Sequence, residues 1–354
     1  MNDQLTALTS RLISFKSINK KNVNLAAEFC YSWLKDNNLE VELLENQGYK
    51  IVVATVGGEG PTIILNGHLD VVPAKLEDFN PYVKQGKLFG RGSYDMLGSV
   101  AAMMVLFKEL AVLTPVNKIL LTLVPNEEDG GQLGTGYLVE QGLTGDFVVC
   151  GEPTNLNIAV QIKGVLQLSL EIPGISCHGS RPWLGENAIL KAVEAYRKIE
   201  ELNLFKERSQ YFLKPSLNLA KISGGKQFNQ VADKCSIGLD IRYLPNQDPD
   251  NIIENIIKSV PEAKISIVNQ RPTVVTDPNN KFIKKLIKNA EHYTDKNIVL
   301  FGQDGTSDIS FFAKKEIPAV EFGPCGANHH GPGEYVEIES LYIFKDILKR
   351  FLLY

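Results

Sequence analysis

Apolar residues recur at helical spacing over residues 3–16 and 22–36, which predicts two amphipathic helices at the start of the chain. Short apolar runs follow at Ile51–Val56, Thr62–Leu65, Ile119–Val124 and Phe147–Cys150, each of strand length. Between them, Ser99–Leu110 reads as a buried helix, with Ala and Met where a surface helix carries polar residues. Strands alternating with helices over residues 1–155 predict a mostly parallel α/β sheet.

The pattern changes in the middle of the chain. Val165–Ile172 alternates apolar and polar residues, as a half-buried strand does. Asn187–Leu202 and Pro249–Val260 have helical spacing, and Leu217–Ile222, Cys235–Tyr243 and Ala263–Val268 are strand-like. The order β-α-β-β-α-β is the ferredoxin-like arrangement and would make a compact domain of about 110 residues. Asn269–Asp277 reads as a linker back, followed by a helix over Lys281–Tyr293, a strand at Ala319–Phe322 and a closing helix over Ile338–Leu352. The predicted architecture is a discontinuous α/β domain, residues 1–160 and 270–354, with a smaller domain, 161–269, inserted into it.

The length of 354 residues suits two domains. The formal charge, 37 basic minus 41 acidic residues, is −4 with no basic run, which argues against nucleic acid or an anionic membrane surface as partner. No stretch reaches the roughly 18 uninterrupted apolar residues of a membrane helix. The opening MNDQLTALTSRLISF lacks the basic and apolar regions of a signal peptide. Cys30, Cys150, Cys177, Cys235 and Cys325 are odd in number, far apart and never in C-x-x-C, so reduced thiols in a cytoplasmic compartment are expected.

The chemistry lies at the ends of the apolar runs. Thr62–Leu65 runs into Asn66-Gly67-His68-Leu69-Asp70, and Ile119–Val124 into Pro125-Asn126-Glu127-Glu128. Phe147–Cys150 runs into Gly151-Glu152-Pro153-Thr154, and Ala319–Phe322 into a Gly-rich loop with His329-His330. Asp95, in Gly90-Arg91-Gly92-Ser93-Tyr94-Asp95, directly precedes the Ser99 helix. Ligands collect beyond the carboxyl ends of strands in open α/β sheets, and parallel strands would bring these side chains to one edge. Histidines with several carboxylates suit borderline divalent metals, zinc above all, and unpaired carboxylates at a buried edge require cations. Two metals about 3.5–4 Å apart sharing a carboxylate form a common hydrolytic site. Taken singly, His68 and Asp70 could be a capped strand end, and Glu127-Glu128 a solvated turn. Glu152-Pro153 could likewise be an ordinary turn, Asp95 a helix N-cap and the two histidines a loop pair. Their joint occurrence favours the metal centre.

These motifs, namely His68-Leu69-Asp70, Gly92-Ser93-Tyr94-Asp95-Met96, Glu127-Glu128, Gly151-Glu152-Pro153-Thr154 and His330 followed by Glu334, resemble those of the dinuclear-zinc amidohydrolases. That family includes succinyl-diaminopimelate desuccinylase, acetylornithine deacetylase, aminoacylase and carboxypeptidase G. The resemblance spans nearly the whole chain and extends to the inserted domain, which looks like the family's dimerisation or lid domain. It implies that Asp95 bridges two metal ions, with His68 and Glu152 on one and Glu128 and His330 on the other. Between His329 and His330, the four-residue spacing to Glu334 selects His330. It further implies Glu127 as general base towards a metal-bridged water, and Asp70 as the carboxylate orienting His68. The bond after Asp95 is a candidate cis peptide. The implied cofactor is two divalent ions, zinc first, with cobalt or manganese able to occupy the same ligands.

The implied substrate is an N-acyl amino acid or short peptide. His178, in Ser176-Cys177-His178-Gly179-Ser180, is expected to reach into the partner subunit's site of a homodimer; otherwise it is a surface loop histidine. A Cys177–His178 nucleophile pair is disfavoured because neighbours in an extended segment point to opposite faces. Arg242 matches the family's substrate-carboxylate arginine, with a plain surface-strand arginine as the alternative. Asn229 matches a substrate-contacting asparagine. Gly305-Thr306-Ser307-Asp308 resembles the desuccinylase loop whose glycine amide and threonine contact substrate, but Ser310 stands where that branch carries arginine. N-succinyl-diaminopimelate and N-acetylornithine are the expected substrate types. A di- or aminopeptidase and a non-catalytic metal-binding scaffold are the alternatives.

Overall fold

The structure, a computed structural model, describes residues 4–294 and 296–354. The N-terminal helices form as Gln4–Ser14 and Lys20–Asp36, the second started by Asn19, whose side chain accepts from the Asn22 amide. Eight strands follow: β1 (Glu40–Asn46), β2 (Tyr49–Gly57), β3 (Gly60–His68), β4 (Tyr82–Lys84), β5 (Lys87–Phe89), β6 (Asn117–Val124), β7 (Phe147–Cys150) and β8 (Ile158–Ile162). The middle of the chain supplies β9 (Gly164–Pro173), β10 (Ser216–Gly224), β11 (Lys234–Tyr243) and β12 (Lys264–Arg271). The last strands are β13 (Val274–Val275), β14 (Leu300–Gln303), β15 (Ala319–Glu321), β16 (Gly326–Ala327) and β17 (Tyr335–Glu337).

The largest sheet runs β1-β2-β6-β3-β7-β15-β8-β13, with β14 beside β8. Its centre, β6-β3-β7-β15, is parallel. These are the four apolar runs whose ends carry His and Glu, so the expected parallel character is concentrated where the chemistry is. The flanking strands β1, β2, β8 and β13 pair antiparallel. Consecutive residues of β3, β6 and β7 are buried, because a parallel core is covered on both faces and leaves no polar alternation. The helix Gly98–Ala111, buried almost all round, packs against the closing helix Ile338–Leu353.

Two compact units divide the chain. One comprises the residues up to Val160, Thr276–Phe301 and Ser307–Tyr354; the other comprises Gln161–Val275 and Gly302–Thr306. The second holds the β-α-β-β-α-β order as β9, Ala188–Glu200, β10, β11, Pro249–Ser259 and β12. Its antiparallel sheet runs β10-β11-β9-β12. Leu166, Leu168, Leu170 and Ile172 of β9 and Ile237, Leu239 and Ile241 of β11 join residues of both helices in one core. The alternation of β9 thus reports one covered face.

The linker read at Asn269–Asp277 is corrected. The strand β12 continues to Arg271, and β13 then pairs with Gln161 and Ile162 of β8. The unit therefore ends at Val275, beyond the 269/270 boundary read from the sequence, and takes in Gly302–Thr306 as well. Strands β1, β8 and β14 and the short-stranded sheet β16-β17-β5-β4 were not read from the sequence either. Two or three residues per strand carry too little periodicity to stand out in the last of these.

Candidate metal centre

His68 ends β3, Glu127 and Glu128 follow β6, Glu152 follows β7, and His329 and His330 lie beyond β15 in the loop between β16 and β17. Asp95 lies in a distorted turn before the helix Gly98–Ala111, with φ −119° and ψ 96°, and the helix N-cap position falls to Leu97 instead. The Asp95–Met96 peptide is cis, as the resemblance implies. Gly67 and Gly151 let the ends of β3 and β7 press against that turn. A Cβ on Gly67 would lie 3.0 Å from Met96 Cε, and one on Gly151 would lie 2.8 Å from the same atom.

The carboxylate of Asp95 divides its two oxygens between two groups of donors. Oδ1 lies 3.1 Å from His68 Nε2, which is itself 3.9 Å from Glu152 Oε1. Oδ2 lies 2.9 Å from His330 Nε2, which is 3.2 Å from Glu128 Oε2. The donor atoms of His68, Asp95 and Glu128 fall within 4.8 Å of one another. His68 Nδ1 is 2.8 Å from the Asp70 carbonyl oxygen, which can only accept, so Nδ1 carries the proton and Nε2 presents its lone pair. Glu128 Oε1 is buried without a hydrogen-bond partner. A split carboxylate, two imidazoles and an orphaned carboxylate oxygen are a donor set that two divalent ions fit.

The electrostatics agree. Burial pushes Glu127 and Glu152 well above the usual carboxylate range, reinforced for Glu127 by Asp308, Glu128 and Asp70 and for Glu152 by Asp95. Burial acts the same way on Asp95, but hydrogen bonds with His329, His330 and His68 outweigh it and hold that carboxyl well below its ordinary value. His330 is raised to about 10 by its contacts with Asp95 and Glu128. Clustered acids that cannot all ionise cheaply, beside imidazoles drawn to the charged form, mark a pocket of negative potential that favours cations.

Asp70 departs from its expected role. Its carboxylate Oδ1 is 3.8 Å from His68 Nδ1, and its two oxygens instead accept from the amides of Glu127 (3.2 Å) and Glu128 (3.0 Å). The backbone carbonyl orients the histidine, while the side chain anchors the loop that carries the acids. Successive amides can converge on one carboxylate, and two charge-assisted hydrogen bonds hold it away from the ring.

The structure also shows what supports the site, including residues that sequence reasoning missed. Glu334, 2% exposed, accepts from the Tyr94 and Asp95 amides (3.0 and 3.1 Å) and pairs with the buried Arg91. Arg91 Nη2 in turn donates to the His330 carbonyl at 3.0 Å. Beneath the site, Asn66 donates to Thr122 and Thr135, and Thr135 donates to Asp308 at 2.7 Å. His329, set aside by spacing, has Nε2 2.6 Å from Asp95 Oδ2. The spacing of His330 to Glu334 marked the glutamate; nothing in the sequence marked Asn66 or Thr135.

The remaining candidates belong to the second unit. His178 is exposed, its Nδ1 accepting from the Ser180 amide (3.1 Å), and the Gly179 amide beside it donates to the Asn229 carbonyl at 2.7 Å. Arg242 is engaged by Asp240 on the same strand, Nε to Oδ1 at 2.7 Å and Nη2 to Oδ2 at 3.2 Å. Gly305 and Thr306 lie in the returning Gly302–Thr306 segment. All five cysteines are free thiols.

Known proteins resemble this chain along its length. The family model for peptidase family M20/M25/M40 matches residues 64–354. A probable succinyl-diaminopimelate desuccinylase of Staphylococcus aureus is 30% identical over 90% of this chain and 90% of its own. A [LysW]-lysine/[LysW]-ornithine hydrolase of Saccharolobus solfataricus is 27% identical over 94% of this chain and 90% of its own. The aminopeptidase PepT of Bacillus cereus shares the fold with a TM-score of 0.82 at 19% identity, covering 99% of this chain and 97% of its own. A dinuclear metal-binding peptidase of Bacillus subtilis does so with a TM-score of 0.73 at 16% identity, covering 99% and 96%.

Proposed function

The chain belongs to peptidase family M20/M25/M40 and is a metal-dependent amidohydrolase, and from that premise we propose that it cleaves the amide bond of an N-acyl diamino acid. The observation that carries this reading is the division of Asp95 between His68 and His330, which sets out two groups of ligand atoms around one shared carboxylate. His68 and Glu152 would hold one divalent ion and Glu128 and His330 the other, with Asp95 shared. Zinc is the metal that this donor set suits first; cobalt and manganese suit it too. Bound there, the pair would supply Lewis acidity to an amide carbonyl and acidity to water.

The chain's own groups do the rest. Glu127 is not among the five ligands and is held above the ordinary carboxylate range by burial, which suits a base that takes a proton near neutral pH and returns it to the leaving amine. The Asp70 carboxylate fixes the backbone on either side of Glu127. His178, Asn229, Arg242, Gly305 and Thr306 would contact substrate, with His178 supplied by the partner subunit of a homodimer and binding the amide oxygen. Arg242 would have to share its guanidinium with Asp240 to do so. No helix among the described residues is long and apolar enough to cross a membrane, and we place the enzyme in the cytoplasm.

Release of free amine from N-succinyl-LL-diaminopimelate and from N-acetylornithine, side by side, with added zinc and with chelator, tests the proposal. Chelator-sensitive hydrolysis of one of them is expected. The relative at 30% identity supports the succinylated substrate, whereas Ser310 in place of the branch's arginine weighs against it. Hydrolysis of neither by metal-loaded protein refutes the N-acyl-diamino-acid reading and leaves a peptidase or a hydrolase of another acyl amino acid. Cleavage of dipeptides with free amino termini would then favour a peptidase.

A further inference from the structure

A buried cation lies at the point where the chain enters the second unit. Lys163 follows β8, and its side chain is only 7% exposed. Its ammonium donates to the Lys214 carbonyl at 2.8 Å, pairs with Asp304 Oδ1 at 2.7 Å and stands 5.3 Å from the centre of the Phe212 ring. Among the described residues it has no other ion pair. A buried ammonium without a counter-charge is costly, so Asp304 is tied to Lys163 more firmly than its own 82% exposure suggests.

The same contact fixes the backbone of the Gly302–Thr306 segment. The Lys163 amide donates to the Gln303 carbonyl at 3.3 Å. Gly302 lies so close to Phe212 that a Cβ there would be 2.4 Å from the ring, so the segment is held at Gly302 by an aromatic ring as well as at Asp304 by the ion pair. Beyond Asp304 the surroundings change. A Cβ built on Gly305 would meet nothing within 4 Å, and the Thr306 hydroxyl is buried without a hydrogen-bond partner. The clamped segment therefore ends in an amide flanked by open space and in an unspent hydroxyl, two donors suited to an oxygen acceptor such as a carboxylate or an acyl carbonyl.

We infer that Lys163 is a positioning residue: by holding Asp304 it aims the Gly305 amide and the Thr306 hydroxyl at an oxygen of the substrate. The inference rests on the proposal above that Gly305 and Thr306 contact substrate. Neither Lys163 nor Asp304 touches the reacting atoms. Small misplacements of binding groups cost heavily, so loss of the clamp weakens binding while leaving the metal centre and its base in place.

The primary variant is Asp304→Asn, a conservative change at an exposed side chain; Lys163→Met and the double variant complete the cycle. Two readouts are taken on the full-length metal-loaded protein: kinetics with whichever of the two acyl amino acids the parent hydrolyses, and hydrogen exchange at the Gly305 and Thr306 amides. KM is expected to rise on the order of tenfold with kcat within about twofold, and exchange at the two amides to quicken by at least about tenfold. The double variant is expected to match either single one, because both break the same pair. Unchanged exchange overturns the clamp. Faster exchange with unchanged KM overturns the positioning role, and additive effects in the double variant overturn the coupling of the two residues. A parent chain that hydrolyses neither substrate refutes the proposed function instead, and the exchange comparison still decides whether Lys163 holds the segment.

Discussion

Substituting Glu334→Gln isolates the support of the metal centre from its ligands. Glu334 is 2% exposed and Arg91 5%. One carboxylate oxygen accepts from the amides of Tyr94 and Asp95, and the other meets the Arg91 guanidinium. Glutamine keeps the shape and can still accept the two amides, but then turns its own NH2 towards a guanidinium that has no other counter-charge in its hydrogen bonds. Arg91 Nη2 is occupied by the carbonyls of His330 and Gly331, at 3.0 and 3.3 Å. Removing one partner of a buried pair costs about 3–5 kcal/mol, a substantial part of the roughly 5–15 kcal/mol that holds a typical domain folded. Replacing both partners with apolar residues, in Arg91→Met with Glu334→Leu, should cost less than the single change, because no buried charge is then left over. Urea unfolding followed by Trp33 emission in a Trp183→Phe background reports on the unit that holds the site, since Trp183 is 75% exposed and lies in the other unit. The same protein should retain fewer than two equivalents of metal after dialysis, because Asp95 and the His330 loop lose a common anchor. A loss under about 1 kcal/mol with both metals retained would refute the argument that this pair supports the centre.

The remaining predictions concern the chemistry. Glu127→Gln should keep the fold and the metal content while lowering kcat by about 10²–10⁴-fold, because a neutral amide cannot take up the proton; near-normal turnover removes Glu127 from the role of base. His178→Ala should reduce turnover without metal loss. In mixed dimers of His178→Ala and Glu127→Gln chains, one working site should return if the histidine acts on the partner's substrate, and no recovery would mean that it acts within its own chain or not at all.

Much of the candidate metal centre is legible in the sequence because two local rules coincide. Unbroken apolar runs identify strands buried on both faces, and such strands, when parallel, deliver their C-terminal residues to one edge. His68, Glu127, Glu128, Glu152 and His330 each follow such a run, and Asp95 lies in the turn that leads into the helix Gly98–Ala111. What escapes the sequence is whatever depends on contacts between distant segments. Arg91 and Glu334 are 243 residues apart in the chain, and neither has a neighbour that foretells the other. Asp70 was expected to orient His68 through its carboxylate, but spacing cannot say which of its oxygens faces the ring. The strand β13 and the sheet β16-β17-β5-β4 were missed because pairing partners, rather than their own few residues, make them strands.

The sequence by itself determined the class of architecture, the order of elements in the second unit and the candidate residue types for binding a metal, since periodicity and strand ends are local properties of the chain. Only the tertiary structure decided that Asp95 gives one oxygen to His68 and the other to His330. It alone showed that His329 reaches the same carboxylate, and that Lys163 finds its counter-charge on a segment 141 residues away (304 − 163). Such pairings are fixed by which oxygen or ammonium a packed backbone leaves within hydrogen-bond reach, and a linear pattern carries no record of that distance.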